Sequence, residues 1–178
     1  MISASGALRP VDASPDERAV HELTHALAAA LDGTGPAVLP LPGGGERNRV
    51  LDALRPDEPV EDEDLAAVVP TSGSTGEPKG VLLSAAALRA SAWGSLDRLG
   101  AKGDVATWLL ALPPHRVAGL QVLVRSLLAG TLPEVLDSTG GFRPESFADA
   151  TERLRARGAR ANGPRYAALV PTQLVRLL

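Results

Sequence analysis

The sequence predicts an α/β fold in which a layered, largely parallel sheet is flanked by helices. Two observations lead to this prediction. Short apolar runs of strand length alternate along the chain with helical patterns, and strands that alternate with helices usually form parallel sheets. The chain has 178 residues, of which 44% are hydrophobic and 22% charged, as expected for one ordered domain with a buried core.

The first predicted helix begins near Ser14. This serine is expected to cap the helix, with Pro15 in the first turn and Glu17 completing a capping box. Gly33 is expected to end the helix. Its apolar face comprises Val20, Leu23, Leu27, Ala30 and Leu31.

The next elements lead to a glycine-rich segment. Residues 36–41 form a short apolar run closed by three glycines, which predicts a buried strand. A short helix is expected from Arg47 to Leu54, followed by an exposed acidic connection. Residues 65–69 are apolar and predict a strand that runs directly into the glycine-rich segment.

The second half of the chain continues the alternation. Ser84 is expected to cap a helix, and the elements after it again follow apolar periodicity. The predicted elements are a helix at 84–99, a strand at 104–112, a helix at 117–129, a strand at 133–136, a helix at 145–157, a strand at 166–170 and a helix at 172–178.

Composition excludes several classes of function. A net charge of −3 offers no basic surface for nucleic acid, and the absence of cysteine excludes disulfides and thiolate chemistry. No signal peptide and no apolar run long enough to span a membrane is found. We therefore expect a cytoplasmic protein without nucleic-acid or membrane partners. The oligomeric state stays open, with a homo-oligomer among the options.

The glycine-rich segment has the composition of a phosphate-binding loop. Glycines let backbone N–H groups turn toward an anion, hydroxyls add neutral donors, and a lysine adds positive charge. Arginine accounts for 16 of the 18 basic residues, so a lysine at this position suggests a specific role. The candidate phosphate-binding residues are Thr71, Ser72, Gly73, Ser74, Thr75, Gly76 and Lys79.

Two other motifs are excluded, a Walker A phosphate loop and a helical zinc site. Gly73 and Gly76 are separated by two residues and Lys79 precedes a glycine, which excludes a Walker A loop. Residues 21–25 carry two histidines four apart with a glutamate between, as in helical zinc proteases. The apolar periodicity places them on the solvent side of the helix, and His115 lacks the spacing of a third ligand. We predict no metal site.

A second block combines an apolar helix with an arginine. Residues 117–128 are apolar nearly all round, which predicts a buried helix, yet Gln121 and Arg125 lie four apart on it. A buried guanidinium requires an anion or many acceptors. Arg125 is therefore a candidate anion-binding residue; the alternative is that its side chain extends to the surface.

These segments resemble the adenylate-forming superfamily, which includes acyl-CoA synthetases, luciferases and peptide-synthetase adenylation domains. Residues 71–81, Thr-Ser-Gly-Ser-Thr-Gly-Glu-Pro-Lys-Gly-Val, are similar to its phosphate loop. Residues 111–120, with Arg125 behind them, and residues 169–174 resemble the o-succinylbenzoate-CoA ligase family of menaquinone biosynthesis. The likeness runs from about Leu8 to Leu178.

The resemblance implies a function and a set of site residues. It implies ATP-dependent activation of a small carboxylic acid, favoured as o-succinylbenzoate, to an acyl adenylate, followed by thioester formation with CoA. ATP, Mg²⁺ and CoA are the implied substrates or cofactors. Acyl-binding positions map onto His115, Arg116, Gly119 and Arg125. The family usually has histidine where this chain has Arg116, which leaves the acid specificity open.

The resemblance also implies that other parts of the site lie elsewhere. Family members carry a Thr-Glu segment, a ribose-binding aspartate, a hinge and a small C-terminal domain with the adenylation lysine, none of which occurs here. Residues 1–178 are thus expected to be the N-terminal part of the large domain, inactive alone. Alternatives are another acyl-CoA synthetase or adenylation domain, or a non-catalytic nucleotide-binding or interaction module.

Overall fold

A computed structural model describes residues 7–60, 64–72, 76–101, 103–158 and 163–178. Strands and helices alternate through most of this length. In chain order the elements are β1 (Arg9–Asp12), α1 (Glu17–Leu31), β2 (Val38–Leu41), α2 (Gly45–Leu54), β3 (Leu65–Ser72), β4 (Pro78–Ser84), α3 (Ala85–Arg98), β5 (Thr107–Leu110), α4 (Val117–Leu128), β6 (Glu134–Val135), α5 (Pro144–Gly158), β7 (Arg165–Ala167) and α6 (Pro171–Leu177).

The strands form two sheets. The first has the order β1-β2-β3-β4, with β1, β2 and β3 parallel and β4 antiparallel to β3. The second has the order β6-β5-β7 and is parallel. The predicted α/β class with a largely parallel arrangement is therefore confirmed, although the strands divide between two sheets and one edge strand is antiparallel.

Two strands were missed by the sequence prediction. β1 is only four residues long and buries Val11 alone, so it shows no periodicity. β4 begins Pro-Lys-Gly, which are poor strand residues, and it forms because β3 offers it a complete antiparallel ladder. Pairing with a neighbour overrides local preference in both cases.

The predicted start of the first helix was wrong by two residues. Asp16 is the N-cap, and its carboxylate accepts a hydrogen bond from the Ala19 amide at 2.9 Å. Ser14 instead donates its hydroxyl to Asp12 at 2.9 Å. Asp and Ser are similarly good caps, so local sequence did not distinguish them. The helix ends at Leu31, and Gly33 follows with φ of 66° as predicted.

Helices α1, α3 and α4 share one core with both sheets. Fully buried side chains from the three helices, among them Leu23, Leu88 and Leu123, pack with β2, β3 and β5. Helix α2 packs on the other side of the first sheet, and α5 packs on the second sheet. Within the described residues, none of the helices is both long and apolar enough to cross a bilayer.

Candidate functional site

The described parts of the phosphate-loop segment, residues 71–72 and 78–80, belong to the β-hairpin formed by β3 and β4. Strands β3 and β4 pair continuously from Val68 with Leu82 out to Ser72 with Pro78. The sequence prediction placed the segment between a strand and a helix, which was wrong because β4 intervenes. Gly76, next to β4, has φ of 83°, a left-handed conformation that favours glycine. Gly73, Ser74 and Thr75 lie outside the described residues.

Thr71 and Lys79 share one face of the hairpin. They are directly opposite each other in the ladder, and the Thr71 hydroxyl donates to the Lys79 carbonyl at 3.2 Å. The Lys79 side chain is exposed and takes part in none of the ion pairs formed by the described residues. An unpaired ammonium beside a hydroxyl can therefore meet an anion without first losing a partner.

The base of the phosphate-loop hairpin, by which we mean the Pro70–Gly80 pair, rests against α2. Pro70 pairs with Gly80 in the ladder. A Cβ atom added at Gly80 would lie 2.7 Å from Val68 Cγ1 and 3.2 Å from Leu54 Cδ2. Because Leu54 is the last residue of α2, the absence of a side chain at Gly80 allows this helix to approach β4 closely.

Arg116 also contacts this Pro70–Gly80 pair. It is the N-cap residue of α4, and its Nη1 donates to the Pro70 carbonyl at 3.3 Å. Its Nη2 lies 3.2 Å from Oε1 of Glu46, in the first turn of α2. The guanidinium thus connects α4, α2 and the base of the β3–β4 hairpin.

His115 lies beside this ion pair. Burial lowers the pKa of His115 and the Arg116 cation lowers it further, while Glu46 and the Ala13 backbone act in the opposite direction. Its Nδ1 is buried without a hydrogen-bond partner. Burial and the neighbouring cation therefore favour the neutral imidazole.

Helix α4 is buried, as predicted, and carries Arg125 in its last turn. The Arg125 guanidinium carbon lies 4.5 Å from the ring centroid of Trp108 in β5. Trp108 in turn packs on Tyr166 of β7, with ring centroids 4.9 Å apart. Burial lowers the pKa of Arg125. The arginine is thus oriented by an aromatic face.

The surroundings of Arg125 leave several polar atoms unpaired. Buried side-chain atoms without a hydrogen-bond partner include Arg125 Nε, Gln121 Oε1, Trp108 Nε1 and Ser126 Oγ. In the described part of the chain no carboxylate forms an ion pair with Arg125. Unpaired buried polar groups are costly, so Arg125 stays a candidate for binding an anion.

Gly119 has a steric role that its position alone did not reveal. A Cβ atom there would lie 2.2 Å from the Pro113 carbonyl oxygen and 3.0 Å from that of Leu112. Only glycine lets the first turn of α4 lie this close to the preceding loop. Gly119 therefore fixes where α4 begins, and with it the positions of His115 and Arg116.

The two histidines of α1 lie on the solvent side, as predicted. Both His21 and His25 are exposed, and their ring centroids are 4.5 Å apart. Glu22 is exposed as well and lies 4.0 Å from Arg9. Among the described residues no group of three potential metal ligands comes together.

Sequence reasoning missed two contributors to the site. Glu46 is 70 residues from Arg116, and nothing in the spacing links them. Trp108 was assigned only to a strand, although it supports Arg125. Tryptophan is rare here, with two in the chain, so a tryptophan in a short buried strand was the signal available.

Comparison with known proteins supports the resemblance. The model of the family described as AMP-binding enzyme matches residues 6–178. A Mycobacterium tuberculosis protein named "Probable 2-succinylbenzoate--CoA ligase" is 45% identical over 156 residues, covering 88% of this chain and 38% of that protein. The 2-succinylbenzoate–CoA ligase of Enterococcus faecalis is 38% identical over 73 residues, covering 41% of this chain and 15% of that protein.

Solved structures share the fold. A single-residue variant of E. coli MenE with bound OSB-AMS superposes with a TM-score of 0.61 at 26% identity, covering 97% of this chain and 40% of that chain. Bacillus subtilis MenE in complex with ATP and magnesium gives 0.58 at 22% identity, covering 97% and 41%. The chain spans about two fifths of the length of these relatives. With the family model matching nearly the whole sequence, the chain belongs to the AMP-binding enzyme family.

Proposed function

We propose that the chain supplies the phosphate-binding and acyl-binding parts of an ATP-dependent acid–CoA ligase whose acid is o-succinylbenzoate. In this proposal residues 1–178 form the N-terminal part of an AMP-binding domain, and the remaining catalytic groups come from sequence outside them. The relatives named for this reaction, at 45% and 38% identity, support the choice of acid. A cytoplasmic place in menaquinone biosynthesis belongs to the same proposal.

The observation that carries the proposal is the position of α4. Its N-cap residue, Arg116, contacts the base of the phosphate-loop hairpin, and its last turn holds the unpaired Arg125. Nine residues separate them, about 13 Å along a helix. The acyl group of an acyl adenylate would extend over a similar distance from the phosphate. One helix could therefore contact both the phosphate end and the acyl end of the adenylate.

The proposed reaction has two steps. A carboxylate oxygen of the acid attacks the α-phosphorus of MgATP, forming the acyl adenylate as the bond to the β-phosphate breaks and pyrophosphate leaves. The CoA thiol then attacks the acyl carbon and releases AMP. The chain's own contribution is positioning and charge neutralisation.

The hairpin would hold the leaving phosphates. The proposed contacts are backbone N–H groups and hydroxyls of Thr71, Ser72, Gly73, Ser74, Thr75 and Gly76, with the Lys79 ammonium. The exposure of the Lys79 side chain supports this assignment. Magnesium would arrive with the nucleotide as part of the substrate.

The acyl pocket would use Arg125 for the carboxylate of the acid that is not activated. Trp108 holds the guanidinium in place, and the guanidinium N–H groups would donate to the carboxylate. Gly119 would shape the pocket by fixing α4, with His115 and Arg116 at its phosphate end. A dicarboxylate such as o-succinylbenzoate has one carboxylate for activation and one for Arg125.

The test is acid-dependent exchange of labelled pyrophosphate into ATP. It should be measured for this chain alone and for this chain joined after Leu178 to the corresponding remainder of the Mycobacterium tuberculosis relative. We expect exchange with o-succinylbenzoate, much less with benzoate, and none from the chain alone. A folded joined protein that binds ATP but shows no acid-dependent exchange would contradict the proposal.

A further inference from the structure

We propose that α2 and Arg116 together form a brace that holds the base of the phosphate-loop hairpin in place. By brace we mean Glu46 and Leu54 at the two ends of α2, together with Arg116. The inference rests on the proposed function in assigning phosphate binding to the hairpin. It assigns Glu46 and Arg116 as positioning residues for that loop.

The brace contacts both members of one cross-strand pair. Pro70 and Gly80 face each other in the β3–β4 ladder. Arg116 binds the carbonyl of Pro70, and Leu54 packs against the α-carbon side of Gly80. The pair immediately beyond it toward the tip is Thr71 with Lys79. The brace therefore acts one residue below the proposed phosphate contacts.

Helix α2 connects the two contacts of the brace. Glu46 is in the first turn of α2 and Leu54 is its last residue. Arg116 binds Glu46, so the same helix that contacts Gly80 also holds the arginine that contacts Pro70. A rigid helix linking the two contacts limits how far the two strands can move relative to α2.

The length and the charge of the Arg116 side chain suit it to the brace. A guanidinium can bind a carboxylate and a carbonyl at once because its donors are arranged in a fixed fork. Histidine, the usual residue of the resembled family at this position, has a shorter side chain and fewer donors. The side chains of Arg116 and Glu46 are 40% and 39% exposed, so the link is modest in strength and sensitive to salt.

Hydrogen exchange measures the brace directly. The variants are Arg116→Met, Glu46→Gln and the two combined, compared on backbone amides of residues 71–72 and 79–84. We expect exchange about fivefold faster in each single variant, because a partly exposed ion pair of this kind restrains local opening. The combined variant should be no faster than Arg116→Met, since both changes break the same link.

The matched control is Arg155→Met. Arg155 pairs with Glu152 at 2.8 Å on the exposed surface of α5, so the change removes an equivalent ion pair elsewhere. Hairpin exchange should be unchanged in this variant, and the urea midpoint of all variants should stay close to wild type. Unchanged hairpin exchange in Arg116→Met, or an equal effect of Arg155→Met, would overturn the brace.

A second readout separates positioning from a general structural effect. MgATP affinity should fall about fivefold in Arg116→Met and Glu46→Gln, in proportion to the loosened hairpin. The affinity for o-succinylbenzoate should fall less than that for MgATP in Glu46→Gln, because the Glu46–Arg116 link lies at the start of α4 and Arg125 lies in its last turn. Equal losses for both ligands in Glu46→Gln would overturn the positioning role.

The brace and the proposed function can fail separately. If the wild-type chain does not bind MgATP, phosphate binding by this chain is contradicted, and the brace is then decided by hydrogen exchange alone. If MgATP binds and the variants leave both exchange and affinity at wild-type values, the brace is wrong while the proposed function stands.

Discussion

The β3–β4 hairpin and helix α4 differ in exposure and in composition. In the hairpin, the candidate phosphate-binding residues Ser72, Gly76 and Lys79 are exposed, and the two strands are held by backbone pairing and by contacts at Pro70 and Gly80. Helix α4 is buried and mostly apolar, and three of its few polar side-chain atoms, Gln121 Oε1, Arg125 Nε and Ser126 Oγ, are buried without a partner. Under the proposed function, phosphate would therefore meet exposed groups, whereas the acid would meet groups that are buried in the folded chain.

A large loss of stability is expected from a change at the start of α4. Gly119→Ala should lower the free energy of unfolding by about 3 kcal/mol, because its Cβ would overlap the rigid Pro113 backbone. Gly94→Ala in α3 is the control: nothing lies within 4 Å of the added carbon, and stability should rise by up to about 1 kcal/mol. Urea unfolding measures both. Similar effects of the two changes would show that α4 is not fixed in this way.

A smaller cost is expected at the base of the hairpin. Gly80→Ala should lower the free energy of unfolding by about 1.5 kcal/mol, because the new carbon meets the side chains of Val68 and Leu54, which can shift more easily than backbone. The measurement is the same urea titration. A cost equal to or above that of Gly119→Ala would mean that the hairpin is the more rigid of the two regions.

Removing the buried charge of α4 should change stability little. Arg125→Met loses the contact with Trp108 but relieves a desolvated guanidinium, so the free energy of unfolding should stay within about 1 kcal/mol of wild type. Leu123→Ala, two residues earlier and fully buried, should cost about 2–5 kcal/mol. If Arg125→Met were as damaging as Leu123→Ala, Arg125 would be structural and not a free ligand-binding group.

The smallest expected effect concerns pH. Burial and Arg116 hold the pKa of His115 below its usual 6.5 in the folded chain, so the unfolded chain binds the proton more tightly. The stability contribution is complete above pH 6.5 and is lost as the pH falls from 6.5 through the lower folded pKa. His115→Gln should flatten the pH dependence of the unfolding free energy below pH 6.5. The control is His25→Gln, on the exposed face of α1; an equal flattening there would contradict the assignment to His115.

Periodicity and composition predicted most of the fold and part of the site. Helix α4 and the cap at Ser84 follow from local patterns, and both are confirmed. Strand β4 could not be predicted, because Pro78, Lys79 and Gly80 disfavour a strand until β3 pairs with them. The division into two sheets is likewise set by tertiary packing.

The site shows the same limit. Residue types at 71–80 pointed to phosphate, and Arg125 stood out as a charge in an apolar helix, both without any knowledge of contacts. The partners of these residues come from distant sequence. Glu46 and Trp108 approach Arg116 and Arg125 only through the fold, so no local pattern could have assigned them.

The most direct test of the division between hairpin and helix is a two-by-two binding experiment. Lys79→Met and Arg125→Met are each titrated with MgATP and with o-succinylbenzoate by calorimetry. Loss of a charge-assisted contact should weaken MgATP about tenfold or more in Lys79→Met and the acid about tenfold or more in Arg125→Met, each leaving the other ligand unaffected. Variants that weaken both ligands equally, or neither, would contradict the account.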